Sequence, residues 1–135
     1  MSVEKGERHG GHSSSICSEF LKQNSLHASD YQDVLEAIKH HDDKDYGATP
    51  VENKIFYILT AADDLDAFGT DGAERYLEIY RLRGIQEDKI NEKIIANALN
   101  RFRNFELNYS LFPDLISKHK RRYEALVCYL NNNPT

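Results

Sequence analysis

The sequence predicts an all-α protein, a compact bundle of about six helices. Apolar residues recur at helical spacing along most of the chain, whereas the alternating pattern of β-strands is weak throughout. Prolines, glycines and good capping residues divide the helical stretches into lengths typical of globular helices. At 135 residues the chain has room for one hydrophobic core. We therefore expect a flexible segment over 1–11, a single helical domain over 12–131 and a short tail over 132–135.

The first three predicted helices lie before Gly69. The first covers about 12–24, and the second runs from about Ser29 to the histidine pair His40-His41. A charged loop over 42–48 follows. Thr49 as N-cap and Pro50 at the first helical position then predict a third helix that stops at Gly69.

Three further helices complete the predicted bundle. The fourth begins at Thr70 and ends near Arg83, before Gly84. The fifth fits about 86–108, and Pro113 opens a sixth that reaches the asparagine-rich tail.

Composition narrows the classes of function. The net charge of −5 gives no general reason to bind nucleic acid or an anionic membrane. No apolar run approaches the roughly 20 residues that span a bilayer, and the N-terminus lacks a hydrophobic signal region. The chain is therefore expected to be cytoplasmic, with Cys17 and Cys128 as reduced thiols in helical apolar patterns.

The third helix carries three aspartates in Ala62-Asp-Asp-Leu-Asp-Ala-Phe-Gly69. Its helical pattern predicts a buried stripe made of Val51, Ile55, Ile58, Leu59, Ala62 and Leu65. Asp63 and Asp66 are expected beside this stripe, and Asp64 is expected toward the polar face. A carboxylate next to a core is costly without a cation, a metal or hydrogen bonds. The pattern therefore raises the question of what Asp63 and Asp66 hold.

Histidines are concentrated before this helix. Together with carboxylates they suit Mn, Fe, Ni, Co or Zn, whereas an all-oxygen set would suit Mg or Ca. The candidate metal ligands are His12, His40, His41, Asp42 and Asp63. A metal site in the bundle core is one interpretation. The other is that the pair His40-His41 complements the dipole at a helix C-terminus.

Arg75 follows a predicted tight corner marked by Gly69 and Gly72. Its guanidinium could bind a phosphate, or it could form an ion pair with a nearby acid such as Asp71. The basic run over 118–122 is spread around its helix and is expected to be a solvated face, so nucleic acid is a disfavoured partner.

The segments 37–41 and 62–75 resemble the HD-domain superfamily of metal-dependent phosphohydrolases. Ile38-Lys-His-His41 is similar to the family's Ile-x-x-His segment, and 62–69 with Gly72 and Arg75 is similar to its Ala-Asp-x-Leu-Asp-Ala-x-Gly helix and Gly-x-x-Arg continuation. The resemblance covers roughly residues 37–80, the C-terminal part of such a domain. The family's first histidine and its His-Asp doublet lie upstream of this part, and no residue before His9 supplies them.

The resemblance implies that Asp63 is the last metal-ligating aspartate and that Arg75 is a structural or phosphate-facing arginine. It places His41, with His40 and His12, around the metal or the substrate phosphate. An alternative assignment gives His12, His41-Asp42 and Asp63 the family's His, His-Asp and Asp roles.

The implied function is hydrolysis of a phosphate ester, a nucleotide among the candidates, with a divalent Mn, Fe, Ni, Co, Zn or Mg ion. The alternative is a non-catalytic helical module for protein interaction or nucleotide binding. The expected partners are a phosphorylated small molecule or nucleotide, and a second copy or another chain that completes the domain.

Overall fold

The computed structural model describes residues 9–42 and 53–133, and every regular element in these ranges is helical. The all-α prediction and the number of helices are confirmed for this part of the chain. The helices are α1 (Gly10–Gln23), α2 (Gln32–His40), α3 (Lys54–Asp66), α4 (Thr70–Leu82), α5 (Glu87–Asn108) and α6 (Pro113–Asn132), with a 3-10 turn at Ala28–Tyr31 before α2. None of the described helices is both long and apolar enough to cross a membrane.

Two compact units divide the chain, and the boundary falls between Asp63 and Asp64, inside α3. In the N-terminal unit, α1 packs against α2. The start of α1 lies against the end of α2, because a Cβ on Gly10 would come within 2.3 Å of the Lys39 carbonyl oxygen. Glycine is required for this close approach. The Asp42 carboxylate accepts a hydrogen bond from the Gly10 N–H at 3.0 Å, so α1 begins two residues earlier than expected.

The start of α3 differs from the prediction. The Asn53 side-chain oxygen accepts hydrogen bonds from the N–H groups of Ile55 and Phe56 at 3.0 and 3.1 Å. This is the geometry of an N-cap residue, and the helix begins at Lys54. The predicted cap Thr49 and first residue Pro50 lie outside the described residues.

The buried stripe predicted on α3 is wrong. Ile55, Ile58 and Ala62 are exposed, with Ile58 at 66%, whereas Asp64 is only 1% exposed. Leu59 and Leu65 are half-buried, and Val51 is outside the described residues. Asp64 and Phe68 are four residues apart and are both buried. The inward face at the C-terminal end of α3 therefore contains a carboxylate.

In the C-terminal unit, α4, α5 and α6 pack against one another around a single core. Phe68 contacts the rings of Phe102 and Tyr123 edge-on, with centroids 5.9 and 6.0 Å away. This geometry is favourable for aromatic pairs. The buried residues of this core are Ala67, Phe68, Ala73, Leu77, Ile90, Ile94, Ala98, Phe102, Phe105, Leu126 and Leu130.

The corner between α3 and α4 is as tight as the two glycines predict. Gly69 has φ +92°, a conformation that favours glycine, and it occupies the N-cap position of α4. A Cβ on Gly72 would lie 2.1 Å from the Ala67 carbonyl oxygen, so the first turn of α4 rests directly on the backbone that precedes it. No side chain larger than hydrogen fits there without opening the corner.

The sixth helix and the cysteines correct two further expectations. His119 is buried and Arg122 is half-buried, so the basic run is not entirely a solvated face. Cys17 is half-buried, but Cys128 is exposed. Its thiol accepts a hydrogen bond from the Asn132 side chain at 3.3 Å. Neither cysteine forms a disulfide.

Replacing Gly72 with alanine should destabilise the protein by about 1–3 kcal/mol, since the methyl group would overlap a backbone carbonyl that cannot rotate away. Gly11 offers a matched control because it lies in the first turn of α1 and has nothing within 4 Å of a built Cβ. Gly11→Ala should leave the free energy of unfolding unchanged or raise it by up to about 1 kcal/mol. Urea unfolding followed by circular dichroism measures both, and equal effects of the two substitutions would contradict the packing argument.

Candidate functional site

The one buried carboxylate of the described aspartate cluster belongs to Asp64. Its Oδ1 accepts a hydrogen bond from Nη1 of Arg101 at 3.0 Å, and both side chains are largely removed from solvent. Nε of Arg101 donates to Oδ1 of Asn97 at 2.9 Å, and the guanidinium lies 5.8 Å from the centre of the Tyr76 ring. The pair therefore joins the end of α3 to α5, with Tyr76 of α4 beside it.

The prediction that Asp64 lies on the polar face is wrong, and Arg101 is a site residue that the sequence motifs do not include. A signal for Arg101 was present, since it lies three residues after Ala98 and four before Phe105, on the inward side of α5. A cation on a core-facing position requires a buried anion, because an unpaired charge there is costly. Asp64 is that anion.

Asp66 and Arg75 form a second ion pair, and it is exposed. Nη1 of Arg75 donates to Oδ2 of Asp66, and both side chains are at least half exposed. The hydrogen bond and the charge of Asp66 raise the pKa of Arg75, with a smaller contribution from Asp71. The ion-pair interpretation of Arg75 is confirmed, with Asp66 as the main partner. The expectation that Asp66 lies beside the core is wrong.

Two histidine rings meet where α1 begins and α2 ends. The ring centroids of His9 and His41 are 4.9 Å apart, and the ring planes are tilted by 58°. Nδ1 of His41 lies 2.6 Å from the carbonyl oxygen of Ile38. A carbonyl oxygen can only accept, so Nδ1 carries the proton, and the neutral ring has its lone pair on Nε2. His9 was not among the predicted ligands.

Asp42 lies at the same junction. Its Oδ2 accepts the hydrogen bond from Gly10, the residue after His9. Its Oδ1 is buried and has no hydrogen-bond partner within the described part of the chain. A buried carboxylate oxygen without a partner is uncommon in proteins and indicates a place where a cation or a donor would be favourable.

The remaining predicted ligands do not join this junction as a metal cluster. His12 is exposed on α1, and His40 contacts Oε2 of Glu36 one turn earlier in α2, at 3.3 Å. Asp63 is half-buried near the end of α3. Over 9–42 and 53–133, no three His, Cys, Asp or Glu side chains are arranged so that they could hold one metal ion.

Arg122 holds the α3–α4 corner from α6. Its Nη2 donates to the carbonyl oxygen of Phe68 at 3.0 Å, and its own carbonyl oxygen accepts from the N–H of Gly69 at 3.0 Å. Nη1 lies 3.2 Å from Nδ1 of His119. Burial lowers the pKa of His119, and the charges of Arg122 and Lys118 lower it further. The lowered pKa favours the neutral imidazole, whose Nδ1 can accept a hydrogen bond from the Arg122 guanidinium.

An open apolar groove lies between α5 and α6. Its volume is about 590 Å³. The aliphatic lining comes from Ile95, Ala96, Leu99 and Leu130, and polar groups of Asn91, Glu92 and Asn131 complete it. Both amide hydrogens of Asn91 are used, on the carbonyl oxygens of Leu130 and Asn133, while its buried Oδ1 has no partner among the described residues.

No protein-family model, curated protein or solved structure matches this chain. Membership of the HD superfamily stays a prediction from the motif in residues 37–80.

Proposed function

We propose that the chain is a non-catalytic helical interaction module that assembles with further copies of itself through its C-terminal unit. The groove between α5 and α6 carries this proposal. A concave surface lined by aliphatic side chains is typical of sites that bind an apolar anchor from a partner.

The apolar anchor that suits this groove is the turn between α5 and α6. Leu107, Leu111 and Phe112 lie within six residues of one another and are among the most exposed large apolar side chains of the described chain, with Leu111 at 87%. Contiguous exposed apolar side chains mark interaction sites in soluble proteins. We call these three residues the apolar turn.

The groove and the apolar turn are different surfaces of one unit. The contact between two copies is therefore heterologous, because each copy contributes a different surface. Each copy would place its apolar turn in the groove of the next. The small net charge of −5 opposes such assembly only weakly.

Two variants should abolish self-assembly. Ala96 lines the groove and is exposed, so Ala96→Glu places a charge in the groove without disturbing the core. Leu111→Ser removes the most exposed member of the apolar turn. Light scattering after size exclusion should show a mass that rises with concentration for the parent chain and a monomer mass for each variant.

The matched controls are Ala125→Glu and Leu82→Ser, because both residues are exposed and lie outside the two surfaces. Both controls should assemble like the parent. Mixing Ala96→Glu with Leu111→Ser should restore a 1:1 dimer, since one variant keeps an intact turn and the other an intact groove. A parent chain that stays monomeric at several hundred micromolar, or a mixture that stays monomeric, would contradict the proposal.

The second proposal is the metal-dependent phosphohydrolase. The observation that favours it is the junction of α1 and α2, where His41 and Asp42 supply donor types that suit a transition metal. In such an enzyme the metal would polarise a phosphoryl oxygen and activate bound water, with Asp63 as a further ligand.

This proposal predicts hydrolysis of p-nitrophenyl phosphate or bis-p-nitrophenyl phosphate by the chain supplied with Mn²⁺, Ni²⁺ or Zn²⁺. Asp63→Ala should abolish the activity, because removing a ligand removes the metal that activates the water. Asp33→Ala provides a control, since this aspartate is exposed on α2. A chain without metal-stimulated hydrolysis, or with activity that survives Asp63→Ala, would contradict the enzyme.

A further inference from the structure

We propose that His9 and His41 form a two-histidine transition-metal site where α1 begins and α2 ends. The site is separate from the proposed interaction module, and it shares His41 with the proposed phosphohydrolase but adds His9 as a ligand. Neither the groove nor the apolar turn includes these residues, and the resemblance to the HD superfamily gives His9 no role. The ions that imidazole ligands favour are Zn²⁺, Ni²⁺ and Cu²⁺.

The separation of the two rings fits a shared ion. A zinc ion bound to imidazole lies about 2.0–2.1 Å from the ring nitrogen, hence about 3.2 Å from the ring centroid. Two centroids that are 4.9 Å apart then subtend an angle of about 100° at the metal. This value lies between the octahedral and tetrahedral ligand angles. A shared ion therefore requires no change in the distance between the two ring centroids.

The His41 ring is already held in the orientation of a metal ligand. Histidines that bind metals almost always donate their other ring N–H to a carbonyl or carboxylate oxygen, which fixes the ring and directs the lone pair to the ion. Nδ1 of His41 makes such a contact with the carbonyl oxygen of Ile38 at 2.6 Å. Nε2 is left to bind the metal.

Asp42 supplies negative charge beside the pair. Its carboxylate is held by the Gly10 N–H, and its buried Oδ1 has no hydrogen-bond partner among the described residues. A divalent cation nearby would offset the cost of that buried oxygen. His40 is not part of the site, because it contacts Glu36.

The site has two protein ligands, and water would complete the coordination. This agrees with the finding that no group of three His, Cys, Asp or Glu side chains in the described ranges could hold a metal. Two ligands bind a metal more weakly than the four of a structural zinc site. We therefore expect reversible binding of one equivalent of metal.

The test is a titration of the tag-free full chain with Zn²⁺ at pH 7.5, followed by calorimetry and by the histidine Cε1–H signals in NMR. One equivalent should bind, and the signals of His9 and His41 should shift before those of the other histidines. His9→Ala and His41→Ala should each weaken binding at least about tenfold. His27→Ala, at an exposed position, should leave it unchanged.

The order in which the histidine signals shift is measured on the unsubstituted chain. The test therefore remains decisive even if one of the variants fails to fold. Equal broadening of all histidine signals, or binding that is unaffected by both His9→Ala and His41→Ala, would overturn the site. Zinc bound at this pair without phosphoester hydrolysis supports the site and contradicts the phosphohydrolase, so the two ideas fail separately.

Discussion

The buried ion pair between Asp64 and Arg101 determines which aspartate at the end of α3 faces the core and which faces solvent. A charge inside a protein is destabilising unless a partner and hydrogen bonds replace its lost hydration. Arg101 has Asp64, the oxygen of Asn97 and the face of Tyr76 around it. With Asp64 turned inward, Asp66 is placed where it can meet Arg75 at the surface.

Separate local contacts shape the corner that follows the acidic motif. Gly69 provides the positive φ, Gly72 allows the first turn of α4 to rest on Ala67, and Arg122 binds the peptide group between Phe68 and Gly69. These roles are structural. The motif residues that suggested phosphate chemistry therefore have a second, local explanation, and the proposal of an interaction module rests on other surfaces of the same unit.

The sequence predicts where the helices lie, but it does not predict which side chains of different helices contact one another. The predicted fifth helix over 86–108 agrees with α5 to one residue, because caps and helical periodicity are local. The stripe on α3 failed because a salt bridge, not an aliphatic residue, occupies part of the inward face, and periodicity counts apolar side chains alone. The contact between His9 and His41 joins residues 32 positions apart, so no local pattern could place it.

The most direct measurement is a double-mutant cycle on Asp64 and Arg101, using Asp64→Asn, Arg101→Met and the double variant in urea unfolding. The account predicts that each single substitution costs about 3–5 kcal/mol, because it leaves a buried charge without its opposite charge, and that the coupling energy is about 2 kcal/mol or more. A parallel cycle on the exposed pair of Asp66 and Arg75 should give less than about 1 kcal/mol. A coupling energy below about 0.5 kcal/mol for Asp64 and Arg101 would contradict the central place of this ion pair.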